Sequence, residues 1–151
     1  MTRVLFLCTG NYFRSRFSEA LFQHLISEDQ ADGRLEVASA GLKVTADSGN
    51  VGPMAAEAIT AVRERDIVID PNQLAMPRQV EDADLSAADV VVAVDAAAHR
   101  PMVRERYPAW EDRIRFWAVK DLGEEEGGDP ISQLDANVRE LFEELNSAVP
   151  R

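Results

Sequence analysis

Two short stretches of the chain, residues 4–7 (Val-Leu-Phe-Leu) and 90–94 (Val-Val-Val-Ala-Val), are apolar from end to end. A strand with one wet face alternates apolar and polar residues. An uninterrupted run this short suits a strand covered on both faces, the situation of a parallel sheet between helices. The intervening sequence supplies helices. Between residues 15 and 26, Phe17, Ala20, Leu21 and Leu25 recur at helical spacing, and Gly33 closes the polar exit that follows. Residues 35–38 read as a second strand running into the turn Ser39-Ala40-Gly41, and residues 42–53 as a loop. Pro53 suits the first position of a helix reaching Arg65. The pattern is weakest over residues 66–83, where Ile67, Val68 and Ile69 suggest a short extended piece and Pro71 and Pro77 end anything longer. Residues 85–88 read as one helical turn, residues 95–105 as a helix that Pro101 interrupts near its start, and residues 114–119 as a fourth strand. A last amphipathic helix over 131–145 carries Ile131, Leu134, Val138, Leu141 and Leu145 on one stripe. The alternation predicts an α/β fold with a parallel sheet and helices on both faces, in a single domain over 1–151 without repeat or linker.

Composition narrows the function classes. With 151 residues, 46% hydrophobic and 28% charged, the chain reads as an ordinary globular protein. No apolar run reaches the roughly 18–20 residues of a membrane span, and the apolar opening is too short for a signal peptide. Cys8 is the single cysteine, so neither an internal disulfide nor a cysteine-cluster zinc site is possible, and a reducing, cytoplasmic location is expected. A net charge of −11 disfavours nucleic acid or an anionic membrane as partner. His24, on a mixed helix face, and His99, among alanines near a helix start, are far apart with no carboxylate motif beside them. No metal and no cofactor are expected. Glu124, Glu125 and Glu126 read as a solvated surface loop that would repel acidic peptides.

In a sheet of this kind ligands bind beyond the carboxyl ends of the strands, which points to the loops after Leu7, Ala38, Val94 and Val119. The first of these carries the chemistry: Cys8-Thr9-Gly10-Asn11-Tyr12-Phe13-Arg14-Ser15. A tight loop feeding a helix N-terminus turns successive backbone N–H groups inward as a cradle for a tetrahedral oxyanion. Gly10 and Asn11 are residue types that tolerate the left-handed conformations such a cradle uses. Arg14 offers a two-pronged grip on phosphate oxygens, and the same positive field favours a thiolate at Cys8, placed for in-line attack. Ser15 is positioned to donate a hydrogen bond to that sulfur. Taken alone, Cys8 would read as a small core residue at a strand end. The Gly-Asn turn, the arginine and the helix start together favour an anion site.

The stretch from Val4 to Ala20, with Cys8-Thr9-Gly10-Asn11, Arg14-Ser15 and Ser18-Glu19-Ala20 at its heart, resembles the N-terminal signature of the low-molecular-weight protein tyrosine phosphatase family. Val37-Ala38-Ser39-Ala40-Gly41, residues 88–95, and Phe116-Trp117 before an acidic loop agree in order and spacing. The resemblance implies a flavodoxin-like three-layer fold with a four-stranded parallel sheet. It implies Cys8 as nucleophile forming a phosphocysteine, Arg14 as transition-state clamp, and Asn11 and Ser15 as loop supports. Thr9, Gly10, Tyr12 and Phe13 complete the phosphate-binding loop, and Ser39 bonds to it from the neighbouring strand. Substrates would be a phosphorylated protein or a small aryl phosphate, with inorganic phosphate as product and a tyrosine kinase as counterpart. The chain departs from the family's common pattern at Phe13, where members commonly carry a second cysteine, and at Arg16, where proline is usual. Arg16 is expected to pair with Glu19 at the helix surface.

The reaction also needs a carboxylic acid to protonate the leaving oxygen. Family members use the Asp of an Asp-Pro pair after the last strand. Asp129-Pro130 matches that dipeptide but is equally what a helix N-terminus looks like. Asp121 sits directly after the strand, followed by Leu122 instead of proline. Strand-end placement favours Asp121. The aromatic wall that follows Asp-Pro in the family is Ile131 here, leaving Tyr12, or Trp110 and Tyr107, to stack on an aryl group. Two other readings stay open: an arsenate reductase using an external thiol, and a catalytically weak phosphate- or phosphoprotein-binding module.

Overall fold

The computed structural model describes residues 1–123 and 128–148, so the glutamates at 124–126 lie outside the described residues. Strands β1 (Thr2–Cys8), β2 (Leu35–Gly41), β3 (Val90–Ala93) and β4 (Ile114–Phe116) form one sheet in the order β2-β1-β3-β4, all parallel. β1 pairs with β2 along its whole length, from Thr2 opposite Leu35 to Cys8 opposite Gly41, and with β3 from Val4 to Leu7. Paired on both edges and covered on both faces, β1 has no wet side, which accounts for its unbroken apolar run.

The pleat divides that run between two layers. Val4, Phe6 and Cys8 face α1 (Arg14–Glu28), α2 (Ala56–Arg63) and α5 (Pro130–Ala148). Leu5 and Leu7 face α3 (Asp82–Ala87) and α4 (Ala96–Arg106). Phe6 is fully buried, its ring 5.9 Å from Phe22 and 5.8 Å from Trp117, and Phe22 meets Phe142 edge-on at 5.5 Å. Each such pair adds about 0.5–1.5 kcal/mol beyond area burial and ties α1 and α5 to the centre of the sheet.

Several local expectations are corrected. Residues 67–69 form no strand: Ile67 is buried, Val68 is 99% exposed, and a 3-10 turn follows at Pro71–Gln73. α2 starts at Ala56, with Ala55 as its N-cap, instead of at Pro53. α3 begins at Asp82, where the Asp84 carboxylate accepts the Glu81 N–H at 2.8 Å. Leu85 is its one buried residue, so no helical period could show. α4 runs unbroken through Pro101, which removes one hydrogen-bond donor and sits on the exposed face. β4 ends at Phe116, and Val119 is buried in an irregular segment whose N–H reaches the Val94 carbonyl at 2.8 Å.

The topology creates one crevice. From β1 the chain moves through α1 to β2 on one side, then crosses to β3 on the other. α1 therefore leaves the carboxyl end of the sheet on one face and α4 on the opposite face, and the opening between them lies above Cys8.

Candidate active site

Cys8 closes β1 and is 3% exposed. The next residues wrap into a loop in which Asn11 adopts φ 53°, the left-handed region that asparagine tolerates. Gly10 does not share that conformation, so the sequence reading holds for Asn11 alone. The glycine this loop requires is Gly41. A Cβ there would lie 2.8 Å from the Thr9 carbonyl oxygen and 3.1 Å from the Asn11 nitrogen, and would overlap Val44. Without a side chain, the end of β2 passes against the loop and fastens it, Leu42 N–H to the Cys8 carbonyl and Lys43 N–H to the Thr9 carbonyl, both 2.9 Å.

Asn11 is fully buried and acts as a hub. Its amide donates to Ser15 Oγ and Ser39 Oγ, both at 2.9 Å, and its Oδ1 accepts the Arg78 N–H at 3.1 Å. Ser39 passes its own hydrogen to Glu19 Oε1 at 2.7 Å. Ser15 Oγ lies 3.0 Å from Cys8 Sγ. Since the Asn11 amide already donates into the Ser15 oxygen, the hydroxyl hydrogen is free to point at the sulfur. No side chain caps the N-terminus of α1 and its first turn has no carboxylate, so its dipole favours an anion at the loop.

Arg14, 3% exposed, is aimed by what lies beneath it. Its Nη1 donates to Asp95 Oδ2 at 3.1 Å and to the Val119 carbonyl at 2.9 Å, while Nη2 stands 3.7 Å from Asp121 Oδ2. Burial opposes ionisation of Asp95, but hydrogen bonds from the Ala98 N–H and Lys120, with the Lys120 and Arg14 charges, outweigh it and hold the carboxyl below its usual range. Asp95 and Lys120 were not among the site residues expected from the sequence.

His99 was considered there only as a metal ligand and set aside. It is fully buried, with Nε2 3.1 Å from Thr9 Oγ1 and Nδ1 accepting the Asp95 N–H at 3.1 Å. A backbone N–H can only donate, so Nδ1 carries a lone pair and the ring proton sits on Nε2, directed at Thr9. Burial, then the nearby Arg14 charge, push its pKa down to about 4. The unfolded chain then binds more protons than the folded one between about pH 4 and 6.5, so stability is full above 6.5 and falls as pH drops through that window. The loss attributable to His99 is about 3 kcal/mol, and urea unfolding at pH 7 and pH 4.5 in wild type and His99→Leu should show a smaller pH dependence in the variant.

Above the loop opens a cleft of about 310 Å³ lined by Cys8, Gly10 and Arg14 together with Tyr12, Glu57 and Asp121. A larger groove of about 560 Å³ lies between α1 and residues 66–75 and contains none of the loop residues 8–14. The nucleophile candidate and buried guanidinium assign chemistry to the smaller one. Asp121 is half exposed in it, its Oδ1 accepting the Leu122 N–H at 2.9 Å. Asp129 is elsewhere. It caps α5, accepting the Ser132 hydroxyl at 2.6 Å and the Ile131 N–H at 3.2 Å, and the Ser132 bond above all keeps its carboxyl below the usual range. Phe13, within the loop, is largely buried and lines the cleft, as does Tyr12, whose hydroxyl donates to the Val51 carbonyl at 2.8 Å. Tyr107 and Trp110, expected as alternative walls, pack instead on the opposite face of the sheet, Tyr107 donating to the Val80 carbonyl at 2.7 Å. Arg16 is likewise not a surface residue. It is 7% exposed, holds the Ala75 carbonyl at 2.7 Å, and stands 3.5 Å from Glu19. Among the described residues no cluster of three His, Cys, Asp or Glu could hold a metal ion, and no helix is long and apolar enough to cross a membrane.

The family model of the low molecular weight phosphotyrosine protein phosphatases matches residues 3–151. The chain belongs to this family. The low molecular weight protein-tyrosine-phosphatase YfkJ of Bacillus subtilis (strain 168) is 32% identical over 96 residues, a match spanning 64% of this chain and 58% of that protein's length. The crystal structure of YfkJ superposes with a TM-score of 0.79 at 22% identity, covering 98% of this chain and 96% of that one. Vibrio vulnificus Wzb, in complex with benzylphosphonate, gives a TM-score of 0.74 at 22% identity, covering 95% and 99%. Structural likeness at that identity carries the fold, which is flavodoxin-like α/β.

Proposed function

We propose that this chain is a metal-independent phosphomonoesterase that hydrolyses aryl phosphates, phosphotyrosine in proteins foremost, through a phosphocysteine at Cys8. One observation carries the reading: Cys8, Arg14 and Asp121 converge on a single cleft, whereas Asp129 is committed to capping α5. In the first step the Cys8 sulfur attacks phosphorus, the P–O ester bond breaks, and Asp121 gives its proton to the leaving oxygen. Arg14 and the loop N–H groups hold the equatorial oxygens as charge develops. In the second, water attacks the phosphocysteine while Asp121 takes its proton; inorganic phosphate leaves and the Ser15 hydroxyl receives the departing sulfur. The Tyr12 ring in the wall suits an aryl group, in keeping with the benzylphosphonate ligand of the Vibrio relative. A tyrosine kinase would supply such substrates, and a cytoplasmic setting would keep Cys8 reduced. With Phe13 in place of the family's second cysteine, oxidised Cys8 has no thiol in its own chain to trap it.

The decisive assay is para-nitrophenyl phosphate and phosphotyrosyl-peptide hydrolysis at about pH 5–6, where a carboxylic acid is still partly protonated. Asp121→Ala should lose about 100-fold or more in kcat, more for poor leaving groups, while Asp129→Ala stays within about threefold and loses about 1 kcal/mol of stability from its cap. The reverse ranking would move the acid to Asp129. Wild-type protein that binds vanadate yet turns nothing over would be a binding module. Arsenite formation dependent on an added thiol would make it a reductase.

A further inference from the structure

We infer that His99 is a positioning residue that sets the spacing between Cys8 and Arg14 by hydrogen-bonding Thr9 of the anion loop and, at the same time, the backbone of Asp95, whose carboxylate holds Arg14. The inference rests on the phosphatase reading of the same site. On the α1 side, the loop is held by Asn11, Ser39 and Glu19. On the other side α4 departs along the opposite face of the sheet, and the crevice between must be bridged by side chains. His99, one turn into α4, crosses it: Nε2–H to Thr9 Oγ1 at 3.1 Å, and Nδ1 from the Asp95 N–H at 3.1 Å. Asp95 in turn orients the Arg14 guanidinium at 3.1 Å. The run Thr9, His99, Asp95, Arg14 therefore closes a ring from the residue beside the nucleophile to the group that grips the phosphate.

The residue type follows from the geometry. The bridge needs a donor and an acceptor on two edges of one rigid plane, and neutral imidazole provides both. Asparagine places a polar atom near the Nδ1 position and reaches the Asp95 side alone; glutamine places one near Nε2 and reaches the Thr9 side. Protonation would set a second N–H against that of Asp95. Burial above all, and then the Arg14 and Lys120 charges against that of Asp95, keep the ring neutral.

The test compares His99→Gln, His99→Asn, His99→Leu, Thr9→Val and the His99→Asn/Thr9→Val double variant. kcat, KM and vanadate affinity are measured for each, with thermal unfolding alongside. Misplacement of a reacting group by a fraction of an ångström should lower kcat about 10- to 30-fold in His99→Asn, His99→Leu and Thr9→Val, with KM moving less than about threefold. The double variant should be no worse than the poorer single, because both remove the same bond. His99→Gln, which keeps the bond to Thr9 and gives up the one from Asp95, should fall between wild type and His99→Asn. Imidazole ¹⁵N shifts in the wild type should report the Nε2-protonated ring. Wild-type kcat in His99→Leu, or additive losses in the double variant, overturns the inference as a matter of core filling. Should His99→Leu fail to fold, the Gln against Asn comparison decides. If the wild type hydrolyses nothing, the phosphatase reading falls, and vanadate affinity still judges this one. No vanadate binding, or equal affinity in wild type and His99→Asn, overturns it.

Discussion

Cys8→Ser protein is expected to fold as the wild type does and to turn over no aryl phosphate, a loss on the order of 10⁴-fold or more, since removal of an activated nucleophile costs up to about 10⁶. The side chain is 3% exposed and its sulfur lies 3.0 Å from the Ser15 hydroxyl. A serine oxygen fits that space and keeps that bond, so unfolding free energy should change by less than about 1.5 kcal/mol. The chemistry does not survive, because an alcohol is a far weaker nucleophile than a thiolate. Steady-state hydrolysis of para-nitrophenyl phosphate gives the first number, and urea unfolding the second. Acid-quenched mass spectrometry of wild type during turnover should find phosphate on Cys8. Retained turnover in Cys8→Ser would remove the phosphocysteine mechanism altogether.

Arg14→Ala carries the second large effect, and it divides between activity and stability. Loss of a charged donor at the transferring phosphoryl group should lower kcat/KM by about 10²–10³. The guanidinium also neutralises Asp95, whose side chain is 2% exposed, leaving only Lys120 at 3.3 Å. Breaking a buried pair from one side costs about 3–5 kcal/mol, so the variant should unfold at markedly lower denaturant. Arg14→Lys tells the two apart. An ammonium restores charge beneath the loop and should recover part of the stability, yet it lacks the planar fork that serves Asp95, Val119 and the phosphate together. Activity should stay low while stability returns. Equal recovery of both would mean Arg14 acts through charge alone.

Much of this molecule could be read locally. The unbroken apolar runs of β1 and β3 follow from burial on both faces, and the Cys8 to Arg14 spacing ahead of a helix places the thiol and the guanidinium in one loop, which the structure shows lining a single cleft. β4 was overextended because Trp117 and Val119 are apolar for packing reasons, after the ladder has ended. The α3 boundary was hidden because one buried leucine has no period. Pro101 suggested a break that α4 absorbs. Asp121 and Asp129, eight positions apart, are both candidates in the sequence, where strand-end placement favours Asp121; the structure puts Asp121 in the cleft and Asp129 on a helix N-terminus.

What the sequence by itself determined was the class of fold and the order of residues along the loop, because strand burial, helical period and loop spacing are properties of neighbouring residues. Tertiary structure decided how the loop is held. Arg14 meets Asp95 from 81 positions away, Thr9 meets His99 from 90, and Asn11 meets Ser39 from 28. In a parallel sheet every connection must cross over to return, so the groups that gather at the carboxyl ends of β1, β2 and β3 come from remote parts of the chain. No periodicity records those meetings. A histidine among alanines carries no sign of its role until α4 brings it against Thr9.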